Sequence, residues 1–169
     1  MTPNSMVAMV RRFIADEKAT GYVNKSGGVN MEEPEGTEEL LTYLDRAVDE
    51  YSKRQAASGD LRLLKTMTAT SGTRLPSDYI LMCGSVPVNV ASKTLAFYGD
   101  ENAMPIRYFA RLPYVTNYSL TATLPYEHDQ EIAICALAAI YALNKHEFNV
   151  SQDLILLGYG GGAANANTQ

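Results

Sequence analysis

The chain has 169 residues, 46% of them hydrophobic and 20% charged, and a net charge of −5. That length predicts one domain, able to bury roughly 70% of its unfolded surface without staples. The longest apolar run, residues 132–143, falls short of the ~20 residues of a membrane span and predicts a buried helix, so no membrane partner is expected. Residues 1–4 show no basic stretch leading into an apolar one, so no secretory leader is expected. Cys83 lies in a strand-like run and Cys135 in the apolar run, which predicts buried free thiols and a reducing compartment. Two histidines leave little for a metal cage or for His-based catalysis.

The charge is unevenly spread. Residues 1–60 and 126–169 each carry −4, while residues 61–125 carry +3. An acidic whole argues against gripping nucleic acid as the main task. The change of sign suggests two modules, or one module whose neighbours attract each other. Ordinary variation between a polar sheet and acidic helices gives the same pattern.

The first predicted helix covers 4–19, capped by Asn4 or Ser5, with Met6, Val7, Val10, Phe13 and Ile14 on one stripe. A Gly-containing loop follows at 20–36, longer than compact domains usually tolerate. Thr37 caps a second helix over 37–58, with Glu38 and Glu39 at its positive end and Leu40, Leu41, Leu44, Val48 and Tyr51 on one face. Gly59 is a left-handed stop. The period then shifts to two across a β insertion at 61–118. Its strand-like runs lie near 62–70, 79–86, 93–98 and 105–112, and short turns between them predict an antiparallel meander. Helices return at 126–146, with Pro125 in the first turn, and at 150–157, capped by Asn149 or Ser151. The first of these is apolar on every side, so neighbours must cover all of it. The last residues are Gly158, Tyr159, Gly160, Gly161, Gly162, Ala163, Ala164, Asn165, Ala166, Asn167, Thr168 and Gln169, a stretch without charge and with one large side chain. Alone, that composition predicts disorder and a flexible C-terminal arm. The expected fold is therefore α+β. It has an antiparallel bundle of about four helices, an inserted antiparallel β-meander of about four strands, and an extended tail, with residues 1–157 as a single domain.

Little chemistry is on offer. The glycines of 158–162 follow a helix instead of preceding one, and no Lys-Ser/Thr comes after them, so a phosphate loop is excluded. Glu127, His128, Asp129 and Glu131 match a helix dipole, and zinc would want tighter Cys and His spacing. Cys135 is too apolar in context to be an activated nucleophile. Arg107 and Arg111, with Tyr108 and Phe109 between them, suit either a single-stranded nucleic acid or a strand facing a subunit. Eleven tyrosines are compatible with protein interfaces and equally with a core boundary. No catalytic, cofactor-binding or metal-binding residue is expected, and no cofactor.

Four stretches carry a resemblance when taken in order. They are Leu40-Leu41-Thr42-Tyr43-Leu44-Asp45-Arg46-Ala47-Val48-Asp49-Glu50; Leu75-Pro76-Ser77-Asp78-Tyr79-Ile80-Leu81; Tyr108-Phe109-Ala110-Arg111-Leu112-Pro113; and Leu124-Pro125-Tyr126-Glu127-His128-Asp129, followed by the Ala-rich run and Val150-Ser151-Gln152-Asp153-Leu154. Over residues 37–157 the chain resembles the head-to-tail adaptors (connector or head-completion proteins) of tailed bacteriophages. The resemblance implies a structural virion protein and not an enzyme. Twelve copies would form a ring under the portal protein, with tail or neck proteins below and double-stranded DNA passing through the channel unread. Residues Gly158 to Gln169 would be the portal-docking arm, adding through backbone hydrogen bonds. Arg107 and Arg111 would contact a neighbouring subunit, the basic β region meeting acidic helices in a closed heterologous ring. Alternatives are another neck component, such as a tail terminator or stopper, or a small-molecule enzyme using the β module as its pocket.

Overall fold

A computed structural model of the chain describes residues 1–14, 34–96 and 103–156, with side chains described from residue 37 in the second helix and up to residue 145 in the third. The described elements are α1 (Pro3–Phe13), α2 (Pro34–Ser58), β1 (Leu64–Ala69), β2 (Tyr79–Cys83), β3 (Val88–Asn89), β4 (Thr94–Leu95), β5 (Met104–Ala110) and α3 (His128–Leu156).

The α1 cap differs from expectation. Thr2, not Asn4 or Ser5, is the N-cap; its hydroxyl accepts from the Ser5 amide at 3.2 Å and the Ser5 hydroxyl accepts from the Thr2 amide at 2.8 Å. Two orphan donors are satisfied reciprocally, and Pro3 needs no partner in the first turn. Likewise α2 starts at Pro34, so Thr37 lies inside the helix and not at its cap. The far end follows the expectation. Gly59 has φ +79°, its amide reaches the Ala56 carbonyl, and the Asp60 amide reaches Gln55. That pairing is a Schellman closure, which a glycine in the left-handed region makes at little cost.

The four-helix bundle is not what forms. Residues 128–156 make one continuous 29-residue helix instead of two, and three helices are present among the described residues. The run contains neither Gly nor Pro, so nothing breaks it, and Asn149 and Ser151 sit inside the helix at a modest propensity cost. Pro125 precedes the helix by three residues. Gln130 instead closes its start, accepting from the Glu127 amide at 2.9 Å.

The meander is overturned too. The three-stranded sheet runs β1-β5-β2, with β5 antiparallel to both neighbours, and β3-β4 form a separate pair. The reason lies in residues 72–75. Their backbone bonds go to β4, through Gly72 to Leu95 at 2.8 Å, Leu95 to Thr73 at 2.9 Å and Leu75 to Lys93 at 2.9 Å. With those groups spent on β4, Ser71-Gly72 cannot close a β1-β2 hairpin, and the space beside β1 is filled by β5. Alternation along β5 then serves two cores. Phe109 packs with Ala56 and Leu63, while Ile106 packs with Ala69 and Leu95 under the β3-β4 pair.

The main core lies among the helices. Met6, Val10, Leu40, Leu44, Val48, Ile134 and Ala138 are all fully buried, and the loop residues Val115, Leu124 and Tyr126 close it. Two side chains of α2 tie helices to the chain after the sheet. The Ser52 hydroxyl accepts from the Leu112 amide at 3.1 Å, and Asp45 accepts from the Val115 amide at 2.7 Å and from the Thr116 hydroxyl. A buried amide left without an acceptor costs about 1–3 kcal/mol, so these contacts fix how the β lobe leaves the helices.

Candidate functional site

α3 has two unlike faces. Its inner face is Ile134, Cys135, Ala138, Ala139 and Ala142, all buried against α1 and α2. Small residues there allow close helix approach. The opposite face carries Ile132, 40% exposed, Ile140, 51%, and Leu143, 37%, with half-buried Ala136 between them. These positions recur at i, i+4, i+8 and i+11, which is one stripe of a helix. The neighbours demanded by an all-apolar helix are thus supplied on one side by this chain. On the other side the described residues leave large apolar groups in water.

The acidic residues at the start of α3 are held as ion pairs. Arg62 reaches Asp60 at 2.8 Å, Glu127 at 2.7 Å and Asp129 at 2.8 Å, bracing the end of α2 against the start of α3. Its hydrogen bonds hold the Asp60 and Asp129 carboxyls below their ordinary range. Glu131, buried, pairs with the amino group of Met1, and His128 lies 3.6 Å away. Among the described residues no three His, Cys, Asp or Glu side chains converge to hold a metal. Cys135 is buried with its Sγ 3.7 Å from the Met6 carbonyl, and burial pushes its thiol up to about 12. A thiol so far from ionising is no nucleophile at neutral pH.

Arg107 and Arg111 are not brought together. Arg107 sits mid-strand on β5, exposed, in register with Thr66 and Cys83. Arg111 turns back to the helices. Its guanidinium lies 3.8 Å over the Tyr114 ring, bonds the Tyr114 hydroxyl at 2.5 Å, and stands 3.8 Å from Asp49. Residues Gly158 to Gln169 lie outside the described residues.

The sequence reading missed a groove on the β lobe. It has a volume of about 770 Å³ and lies between residues 74–79 and the β3-β4 turn. Arg74 and Lys93 stand at it, and Leu75, Tyr79, Val88 and Val90 line it. Only the pairing of 72–75 with β4 brings Arg74 beside Lys93, and no local pattern announces that pairing. No family model, curated protein or solved structure matches this chain.

Proposed function

We propose that this chain is a structural assembly protein, a head-to-tail adaptor that forms a ring under a phage portal and joins capsid to tail around the DNA channel. The observation that carries the reading is the Ile132–Ala136–Ile140–Leu143 stripe. Monomers rarely keep a row of large apolar groups in water on a helix of the core, and such a row marks an interface. A second copy covers it, with the ring closing by heterologous contacts. The charge division supports the same reading, because a +3 β region and −4 helical regions attract when copies meet head to tail. Residues 158–169 are the portal-docking arm in this reading. They carry no charge and mostly small side chains, which suits recognition through backbone hydrogen bonds.

Co-sedimentation with portal rings tests the proposal. Wild-type chain should travel with the rings in a fixed stoichiometry, and a chain lacking residues 159–169 should not. Failure of the wild-type chain to bind portal would refute the adaptor reading. Unchanged binding by the truncated chain would refute the arm.

A further inference from the structure

We infer that the groove between residues 74–79 and the β3-β4 turn receives the Leu61 side chain of a neighbouring copy of this chain, with Arg74 and Lys93 facing the carboxylates that surround that leucine. The inference rests on the assembly reading above and names a contact that joins copies through two different surfaces.

The groove combines an apolar floor with cations left unpaired inside one copy. Leu75, Tyr79 and Val88 line it, together with Val90, which is 83% exposed. No carboxylate lines the groove, and the nearby Asp78 is occupied by Lys65 at 2.6 Å and by the Tyr108 hydroxyl at 3.3 Å. Among the described residues neither Arg74 nor Lys93 forms an ion pair, whereas Arg62, Lys65 and Arg111 in the same lobe each do. Lys93 has φ +54°, a left-handed conformation that a residue with a Cβ adopts at a cost. The Asn89 side chain holds that turn, accepting from the Ala91 amide at 3.1 Å and the Ser92 amide at 3.2 Å. A glycine would sit there with less strain; what the lysine adds is a positive charge at the groove.

The complement lies at the junction of α2 and β1. Leu61 opens a single turn of 3-10 helix, Leu61–Leu63, and is 73% exposed, whereas Leu63 in the same turn is buried against Ala56 and Phe109. Gly59 closes α2 just before this turn, and the Asp60 side chain accepts from the Arg62 amide at 3.0 Å, so the leucine is held out on a fixed backbone and loses little freedom on binding. Around it stand Asp60, Glu127 and Asp129, gathered on the Arg62 guanidinium. Three carboxylates against one cation leave a surplus of two negative charges, which the two positive charges of Arg74 and Lys93 match. Other large apolar groups in water fit the groove less well. Phe13 follows Arg11 and Arg12, Leu81, Met104 and Leu120 have uncharged chain neighbours, and Ile132, Ile140 and Leu143 belong to the α3 stripe. Knob and groove are different surfaces of one chain, so the contact repeats head to tail, as a ring requires.

Crosslinking between full chains tests the contact. Chains bearing Leu61→Cys are mixed with chains bearing Val90→Cys, both also carrying Cys83→Ser, and treated with a short bismaleimide; Cys135 is buried and stays out of reach. The mixture should give a covalent dimer on a denaturing gel, and neither chain alone should. Adding Arg74→Glu to the Val90→Cys chain should cut the yield by roughly tenfold, the size of one charge-assisted contact. Sedimentation velocity gives the strength. Leu61→Ser and Lys93→Gly, each in an otherwise wild-type chain, should weaken self-association by roughly tenfold. Both should melt like wild type, because Leu61 is in solvent within one copy and glycine suits the backbone at position 93. Absence of the dimer from the mixture, an equal yield with and without Arg74→Glu, or undiminished self-association of both variants overturns the inference. If wild type self-associates while the mixture gives no dimer, the groove assignment falls and assembly through α3 stands. If wild type stays monomeric, both fall.

Discussion

Replacing Ile140 by glutamate separates assembly from folding. Ile132, Ile140 and Leu143 leave 40%, 51% and 37% of their surface in water. Together that is about 1.3 side chains of apolar surface, worth roughly 2–4 kcal/mol if a neighbour buries it, at about 1.5–3 kcal/mol per side chain. Ile140 contributes about 1 kcal/mol of this, and an unpaired carboxylate forced into the same contact costs several kcal/mol more. Association should therefore weaken more than a hundredfold, since every 1.4 kcal/mol is a factor of ten. Inside a single copy the change should be nearly silent. The side chain is half in solvent, and glutamate is at least as good a helix former as isoleucine. Sedimentation velocity over a concentration series, paired with thermal melts, reads both effects. Wild type should self-associate and Ile140→Glu should remain monomeric with an unchanged Tm. Equal self-association of the two proteins, or a large drop in Tm for the variant, would refute the reasoning.

Three further outcomes follow from the contacts described. Asp45→Ala should destabilise the fold by about 2 kcal/mol, because the buried Val115 amide loses its acceptor, and chemical denaturation would show it. Asp60 and Asp129 are held below the usual carboxylate range by Arg62, so their contribution is present above about pH 4 and lost as the pH falls through their depressed values; melts of wild type and Arg62→Gln should differ at neutral pH and converge in acid. Burial pushes the Cys135 thiol up to about 12, above its value in the unfolded chain, so native-state alkylation should modify half-buried Cys83 first, and stability should decline as the pH rises from about 9 because only the unfolded thiol ionises.

What the sequence disclosed and what it concealed divides along locality. The second helix was legible because its signals are short-range. Leu40, Leu44, Val48 and Tyr51 keep the helical period, and all four are buried. Gly59 adopts the left-handed stop its residue type suggests. Asn149 and Ser151 misled, since both are good caps and α3 runs through them. Preference for a cap does not break a helix when no Gly or Pro enforces the end. The sheet order was not legible, because it depends on residues 72–75 giving their hydrogen bonds to β4 about twenty positions away. The two arginines on one predicted strand separate for a related reason. Arg107 stays on the ladder, while Arg111 lies just past its end and is captured by Tyr114 and Asp49. On the candidate site, the apolar excess of residues 132–143 was plain, but which face remains in water required knowing where α1 and α2 lie. The Arg74–Lys93 groove left no local trace.

Mass photometry of portal rings mixed with this chain probes the adaptor proposal at its root. Saturated rings should grow by twelve times the 18.5 kDa of one chain, and a chain lacking residues 159–169 should give no step. Rings whose mass does not change at saturating wild-type chain would contradict it.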